Sequence, residues 1–154
     1  MLGNTEIVKA GPLSTVQDLG RLEHEASGVR VCGVMDRLAA SIANRLVNNP
    51  IDAALIEQTL MGDQIRFSQP TRVAVCGADA EVRLDDERRT TWQSFAVEAG
   101  SVLSVKGMAW GVRSYVAVQG GWQVEPVMGS ASTDLIAGLG GVNGRSLRAT
   151  DSLR

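Results

Sequence analysis

A chain of 154 residues with 44% hydrophobic content has the size of one domain, large enough to bury a core without disulfides or a metal. Its 17 acidic residues outnumber 15 basic ones and no basic stripe appears, which excludes a nucleic-acid footprint; nor does any stretch of 18 apolar residues offer a membrane span. Thirteen of the basic residues are Arg, leaving Lys9 and Lys106 as the only lysines, so recognition of a carboxylate or phosphate falls to arginine.

The opening residues Met1 to Glu6 show no basic segment followed by an apolar one, which predicts a cytoplasmic protein without a membrane partner. Strands are expected at Thr5 to Lys9, Ala54 to Leu60, Gln64 to Phe67, Arg72 to Cys76, Glu81 to Leu84, Ser94 to Val97, Val102 to Val105 and Val112 to Val118. Several of them alternate apolar and polar residues, the mark of antiparallel sheet with one face buried. One amphipathic helix is expected from about Asp36 to Asn48. Leu38, Ala39, Ile42, Ala43, Leu46 and Val47 share a face, Asp36 caps the start, and Asn48-Asn49-Pro50 stops it. Asp85-Asp86-Glu87-Arg88 reads as a solvated hairpin tip, and Asp79 as a turn residue at a strand end. From Gly129 to Arg154 the chain is glycine-rich without periodicity, a long loop or a poorly ordered tail. The pattern as a whole predicts a mainly β single domain over 1–154 with one helix.

Polar residues concentrate between Gly11 and Pro50, as in a site mounted on a scaffold. If Gln17 and Asp18 lie in extended chain they face opposite ways. Arg21 reads either as a fork for a carboxylate or phosphate, or as half of an Asp–Arg ion pair that ties the loop. Asn44 lies eight residues beyond Asp36, a little over two helical turns, so the two can face one cleft. Glu57 interrupts an apolar strand: it either faces solvent or is buried, as a general base or in a pair with Arg21 or Arg45. Ser130, Ser132, Thr133 and Asp134 sit among glycines that can present N–H groups to an anion, yet neither a P-loop nor Gly-x-Gly-x-x-Gly is present. Cys32 and Cys76 form no Cys-x-x-Cys, and the single histidine, His24, has no triad context, so no metal site is expected.

Gly11-Pro-Leu-Ser-Thr-Val-Gln-Asp-Leu-Gly-Arg21, Gly33-Val-Met-Asp36, Ala43-Asn-Arg-Leu-Val-Asn-Asn-Pro50, Cys76-Gly-Ala-Asp79, Ala117-Val-Gln-Gly-Gly121 and Gly129-Ser-Ala-Ser-Thr-Asp-Leu135 followed by Gly138-Leu-Gly-Gly141 stand in an order that resembles a known family. It is that of the C subunit of bacterial 5-oxoprolinase, also labelled allophanate hydrolase subunit 2 or KipA-like, with a related region in urea carboxylase. The resemblance covers only the first half of that family's two-half pattern. It implies a cyclophilin-like β-barrel and a subunit, or half-subunit, of an ATP-dependent enzyme that opens a small cyclic amide with companion A and B subunits, which share the ATP. Arg21, Glu57 and Asp18 are then the candidate catalytic residues, with Gln17, Asp36, Asn44, Ser132 and Thr133 binding substrate. Two alternatives follow from the same resemblance. One is a urea- or allophanate-type carboxyltransferase component, whose biotin would arrive on another protein because no Met-Lys-Met sequence occurs here. The other is a non-catalytic protein that pairs with a kinase-inhibitor subunit. Apolar surface left bare by the missing half predicts self-association. Cys32 stands where relatives usually carry Ser, and Leu22, Glu23, Arg30 and Val34 where they carry Pro, Gly, Pro and Ala.

Overall fold

Apolar alternation becomes antiparallel sheet along most of the chain. The computed structural model describes residues 5–154, and the reading of Met1 to Asn4 lies outside the described residues. Its strands are β1 (Thr5–Lys9), β2 (Leu13–Gln17), β3 (Leu55–Thr59), β4 (Gln64–Arg66), β5 (Thr71–Leu84), β6 (Glu87–Arg89), β7 (Ser94–Val97), β8 (Val102–Val118) and β9 (Ser152–Leu153). They join in one sheet ordered β2-β3-β8-β4-β1-β9, with β5 on β8 and carrying β6 and β7. Strand β8 is the hub: its last residues pair with β3, its first with β4, and both ends with β5. The sheet therefore curls into a half-barrel around a core that includes Ile7, Val16, Ile56, Val75, Leu103 and Val116.

Four strands expected separately, at Arg72–Cys76, Glu81–Leu84, Val102–Val105 and Val112–Val118, are two long ones. Strands β5 and β8 continue through the breaks because the register slips at Gly77/Asp79, Asp79/Ala80 and Ala80/Val82, and such bulges bend a strand without ending it. Asp79 is thus an exposed residue inside β5 opposite Trp110, not a turn residue. Strand β2 has no counterpart in the expected elements because Val16 is its single buried apolar residue: Ser14, on the same face, meets a buried hydrogen-bonded cluster. There Asp63, with no exposed surface, accepts from Gly11 N at 2.7 Å, Ser14 Oγ at 2.8 Å and Gln58 Nε2 at 2.9 Å, and Ser114 Oγ donates to Gln58 Oε1 at 3.0 Å.

Helix α1 (Arg37–Leu46) starts on Asp36, whose Oδ1 accepts from Ala39 N at 3.0 Å. It packs on β5 and β8 through Ala39, Ala40 and Ala43, small side chains that let it approach closely. Leu38, expected on that face, is 70% exposed, since Ala39 and Ala43 with Val47 centre the stripe one position further round. Asn48 ends the helix region in the left-handed conformation at φ 61°, which Asn tolerates. No helix among the described residues is long and apolar enough to cross a membrane.

The stretch from 129 to 154 runs back over the sheet and is held by it. Thr133 N donates to Val16 O at 3.0 Å, Leu147 N to Ser14 O at 2.8 Å, and β9 adds to the edge of β1.

Candidate functional site

Three neighbouring strands set one polar face. Strand β2 contributes Thr15 and Gln17, β3 contributes Glu57, and β8 contributes Arg113 and Tyr115; the pleat puts all five on the same side. Register places Thr15 opposite Glu57 and Glu57 opposite Tyr115, while Arg113 lies opposite Thr59. The loops bearing Arg30, Cys32 and Gly33, and Thr133 to Ile136, flank this face and with it line an open cavity of about 320 Å³.

Glu57 is buried, and both carboxylate oxygens are engaged: Oε1 accepts from Arg113 Nη1 at 3.0 Å and Oε2 from Met35 N at 2.7 Å. Its partner is therefore neither Arg21 nor Arg45. Arg113 Nη1 also donates to Thr59 Oγ1 at 2.7 Å, so two acceptors fix the guanidinium plane. Sequence reasoning missed Arg113; the one signal for it was a single cation in the otherwise uncharged run Val112 to Val118. Beside the pair, the Tyr115 hydroxyl accepts from Asp36 N at 2.8 Å, and burial foremost pushes its phenol up from the ordinary value.

A bulge flanks Arg113 on its β5 side. Gly77 pairs with Ser114 and Asp79 with Trp110, so residues 111–113 of β8 oppose Ala78 alone. Gly77 (φ 102°) and Gly111 (φ 88°) make this possible: a Cβ on Gly77 would collide with the Arg113 carbonyl, and one on Gly111 would lie 2.9 Å from Ala78 Cβ. A second, wider cavity of about 560 Å³ shares Arg113 in its lining and is bounded by Asp36, Asp79, Trp92 and Trp110.

The remaining expected residues divide. Gln17 and Thr133 line the smaller cavity, but their polar groups hold its walls: Gln17 Nε2 donates to Thr15 Oγ1 at 3.0 Å and Thr133 O at 3.1 Å, its Oε1 accepts from Gly33 N at 3.1 Å, and Thr133 Oγ1 donates to Val16 O at 2.8 Å. Asp18 turns away and anchors the 130–132 loop. Its Oδ1 accepts from Gly20 N at 2.8 Å, Ser130 Oγ at 2.7 Å and Ser132 Oγ at 2.6 Å, and its Oδ2 from Ala131 N at 2.6 Å. Ser132 is spent in that anchor.

Arg21 requires a correction, since it forms neither a ligand clamp nor an Asp–Arg pair. With no exposed surface, it donates from Nε to Val127 O at 2.9 Å and from Nη2 to Ser132 O at 2.7 Å, a strap across the loop. Asn44 is corrected likewise: its buried Nδ2 donates to Ala53 O at 2.8 Å and its Oδ1 accepts from Asn49 Nδ2 at 3.1 Å, so it secures the helix end and shares no cleft with Asp36. Asp36 itself caps α1 and reaches the wider cavity. Arg30 forms an ion pair with Asp134 at 2.7 Å at the rim of the smaller cavity. Cys32 lines the same cavity at φ 55°, and burial first, then the charge of Asp134, push its thiol up, which opposes a thiolate nucleophile.

The glycine-rich run after Asp134 spends N–H groups internally: Gly138 N donates to Asp134 O, Gly141 N to Ala131 O and Gly144 N to Gly140 O. With no lysine there, these residues do not fit a nucleotide's phosphates.

Comparison with known proteins agrees with this architecture. Residues 27–154 match the carboxyltransferase domain, subdomain A and B. The chain is 44% identical to the 5-oxoprolinase C subunit of Escherichia coli K12 over 96% of its own length and 48% of that protein, and 36% identical to the Haemophilus influenzae counterpart over 97% and 48%. It thus spans about half the length of these curated relatives. The crystal structure of Kluyveromyces lactis urea amidolyase superposes with a TM-score of 0.96 at 34% identity, covering 97% of this chain and 9% of that one.

Proposed function

The chain belongs to the family of the carboxyltransferase domain, subdomain A and B, and we propose that it serves as a subunit, or half of one, in a 5-oxoprolinase-type hydrolase that opens a small cyclic amide with ATP. The observation that carries this reading is the 44% identity to the 5-oxoprolinase C subunit, maintained over 96% of the chain. The geometry suits it: an open cavity of about 320 Å³ is sized for a small molecule, and the Glu57–Arg113 pair stands in its wall. Arg113, rather than Arg21, takes the role of stabilising developing charge, because its guanidinium reaches open space whereas that of Arg21 is enclosed.

ATP binding is assigned to companion subunits, since the glycine-rich run here does not fit phosphates. An exposed apolar stripe of Leu60, Met61, Trp110 and Val112, beside Arg113, is the surface offered to such a companion. The second reading, transfer of a carboxyl group to urea or a related amide, is favoured by the TM-score of 0.96 to urea amidolyase and would need biotin carried on another protein.

Mixing the purified chain with the companion A and B subunits and measuring ATP hydrolysis with and without 5-oxoproline tests the proposal. Stimulated turnover is expected. Absence of stimulation, where a full-length C subunit in its place restores it, overturns the reading for this chain.

A further inference from the structure

We propose that the smaller cavity is a receptor for a small carboxylate, and that its receiving edge is the part of the Arg113 guanidinium that Glu57 leaves unused. The inference deepens the functional reading above, because it concerns the same site, and it names the group by which the ligand is held.

Arg113 spends one nitrogen on protein: Nη1 donates both to Glu57 Oε1 and to Thr59 Oγ1. Nε and Nη2 have no protein acceptor, and neither is enclosed, since the buried unpartnered side-chain polar atoms among the described residues are Arg21 Nη1 and Arg89 Nε. The Arg113 side chain is 28% exposed. Nε–H and Nη2–H point the same way in a planar guanidinium, and that edge matches the two oxygens of a carboxylate. Because two acceptors already fix the plane, little orientational freedom remains to be lost on binding.

Charge decides which cavity takes the anion. In the wider cavity Asp36 and Asp79 both face the space, and Asp79 is exposed, so an incoming carboxylate meets two negative groups. The smaller cavity holds its acids neutralised. Glu57 is bonded to Arg113 and Met35 N. Asp134 accepts from Arg30 Nη2 at 2.7 Å and Nε at 3.2 Å and from the N–H groups of Ile136 and Ala137 at 3.0 Å each. Thr15 Oγ1 accepts from Gln17, which leaves its own proton as a further donor beside Glu57. Leu13, Leu135 and Ile136 supply an apolar side for a compact carbon skeleton.

Three probes titrated into the purified chain by calorimetry test this: 5-oxoproline, 2-pyrrolidinone (the same lactam ring without its carboxylate) and cyclopentanecarboxylate (a ring carboxylate without the lactam). Both carboxylates are expected to bind, and 2-pyrrolidinone at least about 10-fold more weakly, as befits loss of a charge-assisted bidentate contact. Arg113→Gln is expected to weaken both carboxylates by about 10- to 100-fold while leaving 2-pyrrolidinone unchanged, and Arg113→Lys, with charge but no fork, to recover only part. Where Arg113→Gln fails to fold, the double variant Glu57→Gln, Arg113→Gln removes both charges together and serves in its place. Equal binding of 2-pyrrolidinone and 5-oxoproline, carboxylate affinity unaffected by these variants, or no saturable carboxylate binding overturns the proposal. Carboxylate binding through Arg113 in a chain that fails to stimulate ATP hydrolysis would leave this inference standing and remove the hydrolase reading.

Discussion

Arg113 meets Glu57 at 3.0 Å although the two are not cross-strand partners: Glu57 faces Tyr115 and Arg113 faces Thr59. The contact is diagonal, within reach because a long arginine spans two positions along the neighbouring strand. Diagonal pairing leaves Thr59 beneath the same guanidinium nitrogen, so one residue is held from two sides. Replacing Glu57 by Ala leaves Met35 N without its acceptor and Arg113 with Thr59 alone. A stability loss of about 2 kcal/mol is expected from the lost bonds, read by urea unfolding, with substrate-stimulated turnover falling further than stability explains. Turnover equal to wild type at full folding would remove Glu57 from the site.

The bulge beside Arg113 depends on two glycines. Gly77→Ala drives a methyl group into the Arg113 carbonyl and Gly111→Ala one against Ala78, both at positive φ, at a cost of about 1–3 kcal/mol each. Both variants are expected to lower the melting temperature and weaken the Arg113-dependent binding, although neither residue touches a ligand through a side chain. A melting temperature matching wild type for Gly77→Ala would contradict the bulge geometry.

Arg21 acts as a strap and not as a ligand clamp. Arg21→Met abolishes its bonds to Val127 O and Ser132 O, so faster protease cleavage between residues 125 and 134 is expected. Arg21→Lys should not restore protection, because an ammonium cannot hold two carbonyls in one plane as the guanidinium does. Carboxylate affinity lost in a variant whose loop remains protected would return Arg21 to the binding site.

Asp63 sets a pH dependence of unusual sign. Burial raises its carboxyl above the ordinary 3.8, against the lowering effect of bonds from Gly11, Gln58 and Ser14. A native value above the unfolded one means that the native state holds the proton more tightly. The stabilising contribution is full below 3.8 and is lost as pH rises through the raised native value. Asp151 runs the other way: the bond from Arg145 foremost lowers it, so its contribution is present above the ordinary value and lost as pH falls. Urea unfolding across this range should show wild type losing stability relative to Asp63→Asn as pH rises, and relative to Asp151→Asn as pH falls. Parallel curves for Asp63→Asn and wild type would contradict the first assignment.

Elements that carry their own periodicity or chemistry are legible in one dimension. Thr5–Lys9 is a strand as expected, Ser94–Val97 is one as its alternation predicts, and Asp36 caps a helix because a carboxylate before an amphipathic run satisfies its free N–H groups. The residue pattern also marks Gln17, Glu57 and Thr133, which do line the smaller cavity. Folding alone sorts the polar residues that face open space from those that tie backbone. Asp18, Arg21, Asn44 and Ser132 look as chemical as Glu57 along the chain, yet Asp18, Asn44 and Ser132 are taken up by partners elsewhere in it and Arg21, apart from its buried Nη1, by two backbone carbonyls. Arg113 reads as an ordinary strand arginine until β8 pairs with β3 and brings it within 3.0 Å of Glu57, 56 positions away. Hydrogen bonds and charges act through space, and separation along the chain does not state which partner a folded sheet brings within 3 Å.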